Sequence, residues 1–538
     1  MPTRAEKMAR AESGTRRDQP ASRWPGLLSV AALLTLLLAV YLYPYLTAEP
    51  PLPELADTWW LRSPRPDVED TVVRPFSITS PPGLMDDIRA RLTKAESRLT
   101  PPLEGAAFNY GFNSDYLREV MEHWRTKYDW NRRLQHLNQF SQFKTNVNGL
   151  DIHFIHVKPK VPSDEYRVEP LLLLHGWPGS VVEFYSVLPL LTAPRPGHRV
   201  VFEVVCPSLP GYGFSSAAER PGLGAPEVAA VMRKLMQRLG FERFFVQGGD
   251  WGGIIASHMG TLFPEQVAGV HTNFAVADTW RMRLLMALGS IVPSWAGSEF
   301  FTSRLYPLGE KLAVLARETG YAHLQATKPD TVGVALSDSP AGLAAYILEK
   351  FSSWTDMTNV AREDGGLTRH FSLDALLDNV MVYWLSGSVT SSLRLYAETF
   401  GRRVAAMQLD AIPCRVPVGL LYAPNELMLL SPAMLAGKFV DVVAARQLGD
   451  GGHFLAMERP HELAEHVFVT VTAIRRREEL QLEKQRQAEQ EKQRQRETEK
   501  QRQQREKEQR EHRAHQDKEK QKQQQKQHKQ HKQQKTKQ

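Results

Sequence analysis

The sequence predicts an α/β protein whose parallel sheet carries a large helical insertion. Short apolar runs alternate with amphipathic segments over residues 151–475, and this alternation is typical of βαβ units. The alternation stops between Asp278 and Ile412, where apolar residues recur at helical spacing instead. In addition, the stretch VQGGDWGG, residues 246–253, joins a strand-like run to a helix-like run and carries one acid, Asp250, among glycines.

The N-terminal part combines a basic segment with a candidate membrane anchor. Residues 1–23 are polar and basic, and the uncharged stretch from Gly26 to Thr47 is long enough to cross a hydrocarbon core of ~30 Å as a helix. Prolines follow instead of a small-residue cleavage site, so residues 24–47 are interpreted as an uncleaved transmembrane anchor rather than a signal peptide. The basic residues before the span favour a lumenal body. The low cysteine count and the lack of an Asn-x-Ser/Thr sequon favour a cytosolic body, which is the orientation we expect.

The middle of the chain divides into a first region of mixed character and an interrupted α/β core. Residues 48–150 are rich in tryptophan, proline and charge. Residues 151–277 and 413–474 are interpreted as the two parts of the core, and residues 278–412 as a helical cap inserted between them. A buried strand closed by turn residues is predicted for each of five segments: RVEPLLLLHG, HRVVFEVVCPSLPG, RFFVQGG, CRVPVGLLYA and VVAARQL.

Residues 475–538 form a low-complexity tail of glutamine, lysine, arginine, glutamate and histidine. Apolar residues do not recur there at heptad spacing, so the tail is predicted to be disordered or a solvated single helix rather than a coiled coil. Because much of the lysine and arginine lies in this tail, the net charge of +7 does not indicate nucleic-acid binding, and the partner of the tail stays open. The chain has only 2 cysteines, which excludes a disulfide framework.

The glycine-rich stretch has the layout of a nucleophile elbow, in which a strand, Gly248-x-Asp250-x-Gly252 and a helix follow one another. Such a turn is tight, so the flanking residues must be small, and it presents the central side chain at a helix N-terminus that favours negative charge. Most such elbows carry serine. A carboxylate in this position attacks an electrophilic sp³ carbon without a base and leaves an alkyl ester on the enzyme.

Hydrolysis of that ester requires a general base and an oxyanion hole, and the sequence offers both. His453 lies in the turn GDGGHF after the last predicted strand, and Glu426 follows an earlier strand in CRVPVGLLYAPNEL. The order nucleophile, acid, histidine is that of α/β hydrolases, with Glu426 orienting the imidazole. The backbone N–H groups of Trp177 and Trp251 are the expected oxyanion donors, and Pro178 would fix the first of these loops, with a cis bond as one form.

The motifs HGWPGS, PSLPGYGFS, GGDWGG and GDGGHF resemble the microsomal epoxide hydrolase family, and the resemblance covers residues 24–472. It implies an α/β-hydrolase fold with an N-terminal meander in residues 48–150, a helical cap and a membrane anchor. It also implies hydrolysis of hydrophobic xenobiotic or lipid epoxides to vicinal diols. Family members are held on the cytosolic face of the endoplasmic reticulum, which supports the orientation expected above.

By position, the resemblance makes Asp250 the nucleophile, Glu426 the charge-relay acid and His453 the base. It also implies two cap tyrosines that donate to the epoxide oxygen, Tyr321 in ETGYAHLQ and Tyr396 in LRLYAETF. Epoxide opening develops negative charge on the leaving oxygen, and a phenol donor stabilises that charge. No metal or organic cofactor is expected, because a carboxylate is ionised near neutral pH and water is the only co-substrate.

Two other functions fit parts of the sequence. A haloalkane dehalogenase shares the aspartate elbow, the following tryptophan and the ester intermediate, but a halide needs indole or amide donors where an epoxide oxygen needs acidic ones. The HGWP motif and the two tyrosines therefore favour the epoxide. A catalytically silent scaffold whose charged tail is the working part is disfavoured by the intact Asp250, Glu426 and His453. The motifs do not separate aromatic oxides from fatty-acid or juvenile-hormone epoxides.

Overall fold

The fold is built around one mixed β-sheet, seen in a computed structural model. The structure describes residues 48–161 and 165–535, together with positions 33, 37, 40, 41 and 43. The basic segment and the predicted anchor at residues 24–47 lie outside the described residues, except at those isolated positions, which are helical and exposed. Within the described ranges no single helix has the length and hydropathy of a membrane span; Pro329–Asp338 and Pro340–Ser353 reach them only as a pair, which is bent by 118°.

Nine strands form the sheet within the part of the chain that the structure describes. They are β1 (Arg74–Phe76), β2 (Gln142–Val147), β3 (Leu150–Val157), β4 (Arg167–Leu174), β5 (Val200–Pro207), β6 (Phe244–Gly248), β7 (Val267–Thr272), β8 (Val418–Tyr422) and β9 (Val442–Gln447). Their spatial order is β1-β2-β3-β5-β4-β6-β7-β8-β9. The five segments predicted as strands are confirmed as β4, β5, β6, β8 and β9, whereas β7 was not predicted.

The parallel sheet predicted from the five segments is confirmed, since β4 to β9 are all parallel, whereas β1 to β3 were not predicted and pair antiparallel. β1 pairs antiparallel with β2, β2 with β3, and β3 with β5. The hairpin between β2 and β3 turns at Asn148 and Gly149, which have φ angles of 55° and 89°. Positive φ at both central residues is what a tight hairpin turn requires, and Asn-Gly is the sequence that adopts it most readily. The dipeptide was therefore a readable signal for this antiparallel edge.

The helices fall into groups before, within and after the predicted cap. Before it come α1 (Leu84–Glu96), α2 (Ser114–Thr126), α3 (Trp130–Leu137), α4 (Leu188–Thr192), α5 (Ala225–Arg238) and α6 (Asp250–Leu262). The segment between β7 and β8 holds α7 (Trp280–Gly289), α8 (Glu299–Leu305), α9 (Leu308–Glu318), α10 (Gly320–Thr327), α11 (Pro329–Asp338), α12 (Pro340–Ser353), α13 (Leu373–Ser386), α14 (Val389–Thr399) and α15 (Arg402–Ala406). The helical character predicted for residues 278–412 is thus what the structure has.

The last helices are α16 (Pro432–Leu435), α17 (Leu455–Glu458) and α18 (Pro460–Lys535). The first turns of α18 pack against β7, β8 and β9 and bury an apolar face that includes Val467, Phe468 and Ile474. The helix then continues without a break through the low-complexity tail, and its 76 residues span about 110 Å. Of the two states predicted for the tail, the structure has the solvated single helix.

Candidate active site

The elbow between β6 and α6 has the strained geometry that its sequence predicts. Asp250 begins α6 with a φ of 49°, a left-handed conformation that side-chain-bearing residues rarely adopt. A Cβ atom on Gly252 would lie 1.9 Å from the carbonyl oxygen of Leu174, so the first turn of α6 approaches the end of β4 at a distance that only glycine permits. This close approach holds the strained aspartate at the head of the helix.

The Asp250 carboxylate lies between a backbone donor and an imidazole. Its Oδ1 atom accepts a hydrogen bond of 2.8 Å from the Trp177 N–H, and its Oδ2 atom is 3.4 Å from His453 Nε2. Trp251 follows in the first turn of α6, where backbone N–H groups have no partner within the helix. The two N–H groups predicted for an oxyanion hole, those of Trp177 and Trp251, therefore belong to one site beside this carboxylate.

Glu426 holds the other side of the His453 ring. The distances from His453 Nδ1 to the two carboxylate oxygens of Glu426 are 2.9 and 3.0 Å, and both side chains are buried. Burial lowers the pKa of His453, but the negative charges of Glu426 and Asp250 outweigh that effect and raise this pKa well above its ordinary value. The imidazole is therefore a protonated imidazolium at neutral pH.

The loop that carries the Trp177 donor is fixed by its own histidine. Burial lowers the pKa of His175 to about 4, so its ring is neutral. Its Nε2 atom accepts the N–H of Leu209 at 3.1 Å, which leaves the proton on Nδ1, 3.0 Å from the carbonyl oxygen of Gly176. His175 thus ties this loop to the segment after β5. The peptide bond between Trp177 and Pro178 is cis, as allowed for above.

A cap helix reinforces the same loop from the opposite side. In α13, Asn379 donates to the carbonyl oxygen of Pro178, and Tyr383 donates its hydroxyl to the carbonyl oxygen of Gly179, both at 2.7 Å. Ser180 in turn donates its hydroxyl to Asn379 Oδ1 at 2.7 Å. All three bonds are buried, where leaving one partner unpaired would be costly. They therefore fix the position of the oxyanion loop, residues 175–180, relative to α13.

The two cap tyrosines lie against the tryptophans of the oxyanion loop and the elbow. Tyr321, in α10, stacks on Trp177 with ring centroids 5.2 Å apart, and Tyr396, in α14, meets Trp251 edge-on at 4.8 Å. The two phenol rings are 5.9 Å apart. Burial raises the pKa of both phenols, and the charge of Asp250 raises them further, so both O–H groups are neutral donors. Among the described residues the Tyr396 hydroxyl has no hydrogen-bond partner of standard geometry. The two hydroxyls are nevertheless close enough for each phenol to shift the pKa of the other.

The structure therefore brings all seven predicted site residues together, and it adds residues that sequence reasoning did not single out. Trp354, at the end of α12, lies 5.0 Å from both the Tyr321 and the His453 rings, and its carbonyl oxygen accepts the His453 N–H at 3.0 Å. Glu183 lines the cavity beside Asp250. Within the described ranges no cluster of three or more His, Cys, Asp or Glu side chains is arranged to hold a metal ion.

The sheet order, the elbow after β6 and the interrupting cap define the class of protein as an α/β hydrolase with an aspartate in the nucleophile position. The sequence profiles of two protein families match this chain, and both agree with this class. The family described as "alpha/beta hydrolase fold" matches residues 169–384, and the family described as "Epoxide hydrolase N terminus" matches residues 73–184.

Relatives with established names narrow the class. The chain is 46% identical over 431 residues to juvenile hormone epoxide hydrolase 1 of Ctenocephalides felis, covering 80% of this chain and 92% of that protein. It is 45% identical to epoxide hydrolase 1 of Sus scrofa over 419 residues, 77% of this chain and 92% of that protein. The crystal structure of juvenile hormone epoxide hydrolase from Bombyx mori superimposes with a TM-score of 0.76 at 45% identity, covering 78% of this chain and 99% of that one. The chain belongs to the epoxide hydrolase family, and the predicted function is confirmed; a dehalogenase is not favoured.

Proposed function

We propose that this chain hydrolyses hydrophobic epoxides in two steps, through an ester formed on Asp250 and then cleaved by water that His453 activates. The main support is the position of the Asp250 carboxylate, which lies in a left-handed elbow between the Trp177 N–H and the His453 imidazole. A nucleophile, a base held by its own acid and an oxyanion donor thereby share one buried site.

In the first step an oxygen of Asp250 attacks one carbon of the three-membered ring, and the bond between that carbon and the epoxide oxygen breaks. The departing oxygen takes a proton from a phenol, Tyr321 or Tyr396, which leaves an alkyl ester and a tyrosinate. The phenols suit this role because both are buried and neutral, and because they face the elbow across the two tryptophans. The imidazolium of His453 then gives its proton to the tyrosinate through solvent, so the phenol is restored and His453 becomes neutral.

In the second step neutral His453 removes a proton from water as the water oxygen attacks the ester carbon of Asp250. The negative charge of the tetrahedral intermediate falls on the former carbonyl oxygen, where the N–H groups of Trp177 and Trp251 can donate to it. Collapse expels the diol alkoxide, which takes the proton from His453. The new Asp250 carboxyl then gives its own proton to the imidazole, which restores the resting ion pair.

A base-deficient variant tests this sequence of steps. We expect His453→Gln to form the ester at a measurable rate and then to stall, because alkylation does not need the base whereas hydrolysis does. Incubation with styrene oxide, digestion and mass spectrometry should locate one epoxide adduct on the peptide that contains Asp250. Asp250→Asn is the matched control and should carry no adduct. An unmodified elbow peptide in His453→Gln under saturating substrate would show that Asp250 is not the nucleophile.

The aromatic surroundings support apolar substrates. Trp177, Trp251, Tyr321, Trp354 and Tyr396 form a continuous group of rings at the elbow. Relatives named for juvenile hormone and relatives named epoxide hydrolase 1 are equally similar to the chain, so we propose hydrophobic epoxides as the class and no narrower one. Styrene oxide and a long-chain terpenoid epoxide should both be turned over with kcat/KM far above that for glycidol. Comparable kcat/KM values for glycidol would contradict an apolar site.

We further propose that residues 24–47 anchor the enzyme in the membrane of the endoplasmic reticulum with its catalytic body in the cytosol. The uncharged stretch with interfacial aromatics supports the anchor, and the missing sequons and few cysteines support the cytosolic orientation. Protease treatment of intact microsomes should degrade the catalytic body. Full protection until detergent is added would place the body in the lumen instead.

A further inference from the structure

A small cavity lies against the Asp250 carboxylate. Its volume of about 20 Å³ is the room that one water molecule needs. Asp250, His453 and Glu183 line it together with Trp177 and Asn273, and glycines and apolar side chains make up the rest of its lining. Tyr321 and Tyr396 are not among its lining residues. The cavity therefore adjoins the nucleophile and the base without adjoining the proton donors of the first step.

Glu183 is a carboxyl group that the two steps described above leave without a task. It lies in a short 3-10 helix, Val181–Phe184, that follows the oxyanion loop and is capped by Ser180. A Cβ atom on Gly179 would lie 2.2 Å from Glu183 Oε2, so this carboxyl lies directly on the backbone of the loop in the space that glycine leaves. Protein surrounds the side chain, yet part of it stays accessible to a water-sized sphere because it faces the cavity.

The protonation state of Glu183 fits a neutral hydrogen-bonding partner. Burial raises the pKa of this carboxyl to about 8; the nearby charge of Asp250 also raises it, and that of His453 lowers it. At neutral pH the side chain is therefore mostly a carboxylic acid, whose carbonyl oxygen can accept a hydrogen bond. Glutamine presents an oxygen of the same kind at the same position, whereas leucine fills a similar volume without any acceptor.

We infer that Glu183 holds the hydrolytic water in this cavity, accepting one of its hydrogens while His453 Nε2 takes the other. The water oxygen then has its lone pair free for the ester carbon of Asp250. The proton removed goes to His453 and later to the departing diol, and the hydrogen held by Glu183 stays on the new Asp250 carboxyl until that group ionises. This role rests on the two-step chemistry proposed above and concerns only its second step.

The test separates the rates of the two steps in the full-length protein with styrene oxide as substrate. Rapid-quench mass spectrometry measures ester formation and ester decay in single turnovers. For Glu183→Leu we expect ester decay to slow by about 100-fold, in the range of a misplaced reacting group, with ester formation within about threefold of wild type. In the steady state kcat and KM should then fall together while kcat/KM is unchanged, and the ester should accumulate. Glu183→Gln should restore most of the rate of ester decay.

Glu458 supplies a matched control, because burial also raises its pKa to about 8 and it accepts the Gly452 N–H, yet it does not line the cavity. Glu458→Gln should leave both steps within about twofold of wild type. Three outcomes would overturn the role of Glu183: ester decay at the wild-type rate in Glu183→Leu, equal slowing of both steps, or no rescue by Glu183→Gln. Absence of any ester in His453→Gln would instead overturn the two-step chemistry, and the role of Glu183 with it.

Discussion

Alkylation of Asp250 should lower the pKa of His453 and so convert the imidazolium, an acid, into the neutral imidazole, a base. The variant Asp250→Asn tests this prediction in the enzyme without substrate. In the resting site the charges of Asp250 and Glu426 keep the imidazole protonated despite its burial. The ester is neutral, so its formation removes one of the two charges that favour the imidazolium. Asparagine also lacks that charge and nearly matches the shape of the aspartate. The pKa of His453 should therefore fall in Asp250→Asn.

The structure indicates the size of this effect. The Asp250 and His453 atoms lie 3.4 Å apart, and the His453 side chain is only 4% exposed. At that separation two unit charges interact with about 5 kcal/mol at an effective dielectric constant of about 20. The amide dipole of asparagine retains part of this attraction and Glu426 retains its own share. The loss should nevertheless exceed the energy of about 1.4 kcal/mol that corresponds to one pKa unit.

Nuclear magnetic resonance of histidine-labelled protein gives the measurement, since the ring carbon shifts of His453 report its protonation. The signal is assigned by its loss in His453→Gln, and mass spectrometry verifies that the asparagine has not hydrolysed to aspartate. Glu426→Gln is the companion variant and should lower the pKa of His453 in the same direction. A pKa of His453 that falls by less than about one unit in Asp250→Asn would refute the electrostatic switch.

Three further outcomes follow from the packing of the site and the tail. Replacing Tyr321 and Tyr396 by phenylalanine keeps the ring contacts but removes the donors, so single-turnover ester formation should slow by about 100-fold or more in the double variant. Gly252→Ala should cost about 3 kcal/mol in chemical unfolding, because its methyl group overlaps the backbone of β4, whereas Gly309→Ala, which meets nothing within 4 Å, should be neutral or slightly stabilising. Deleting residues 481–538, all exposed where described, should leave kcat within about twofold and Tm within about 2 °C; loss of turnover would show that the tail supports the catalytic body.

The elbow, the base and its acid could be predicted, because short stretches of sequence determine where they lie. The elbow is readable because Gly252 and its neighbours must allow backbone contacts that no side chain permits. His453 and Glu426 were found from their positions after predicted strands, since the carboxyl ends of parallel strands meet at one edge of the sheet. Tyr321 and Tyr396 came from the family resemblance alone, because tyrosines on amphipathic helices are ordinary core residues without it.

What the sequence left open depends on contacts between segments far apart in the chain. Asn379 meets Ser180 across 199 positions, and nothing in either segment indicates that pairing. In the sequence, Trp354 looks like an ordinary aromatic residue on a helix, and only the folded structure places it beside the loop that carries His453. Glu183 follows the HGWPGS motif closely enough to be noticed, but only the cavity reveals that its carboxyl faces the nucleophile.

The helical cap, residues 278–412, holds parts of the candidate active site in place. Hydrogen bonds from α13 hold the loop that carries the Trp177 donor, and the carbonyl oxygen of Trp354 accepts the backbone N–H of the base. Buried bonds of this kind contribute about 1 kcal/mol each, and separating them would leave polar groups unpaired in an apolar interior. The loops that carry Trp177 and His453 are therefore both held by hydrogen bonds to the cap helices. A change in the cap that alters substrate fit should also alter the rate of the chemical steps.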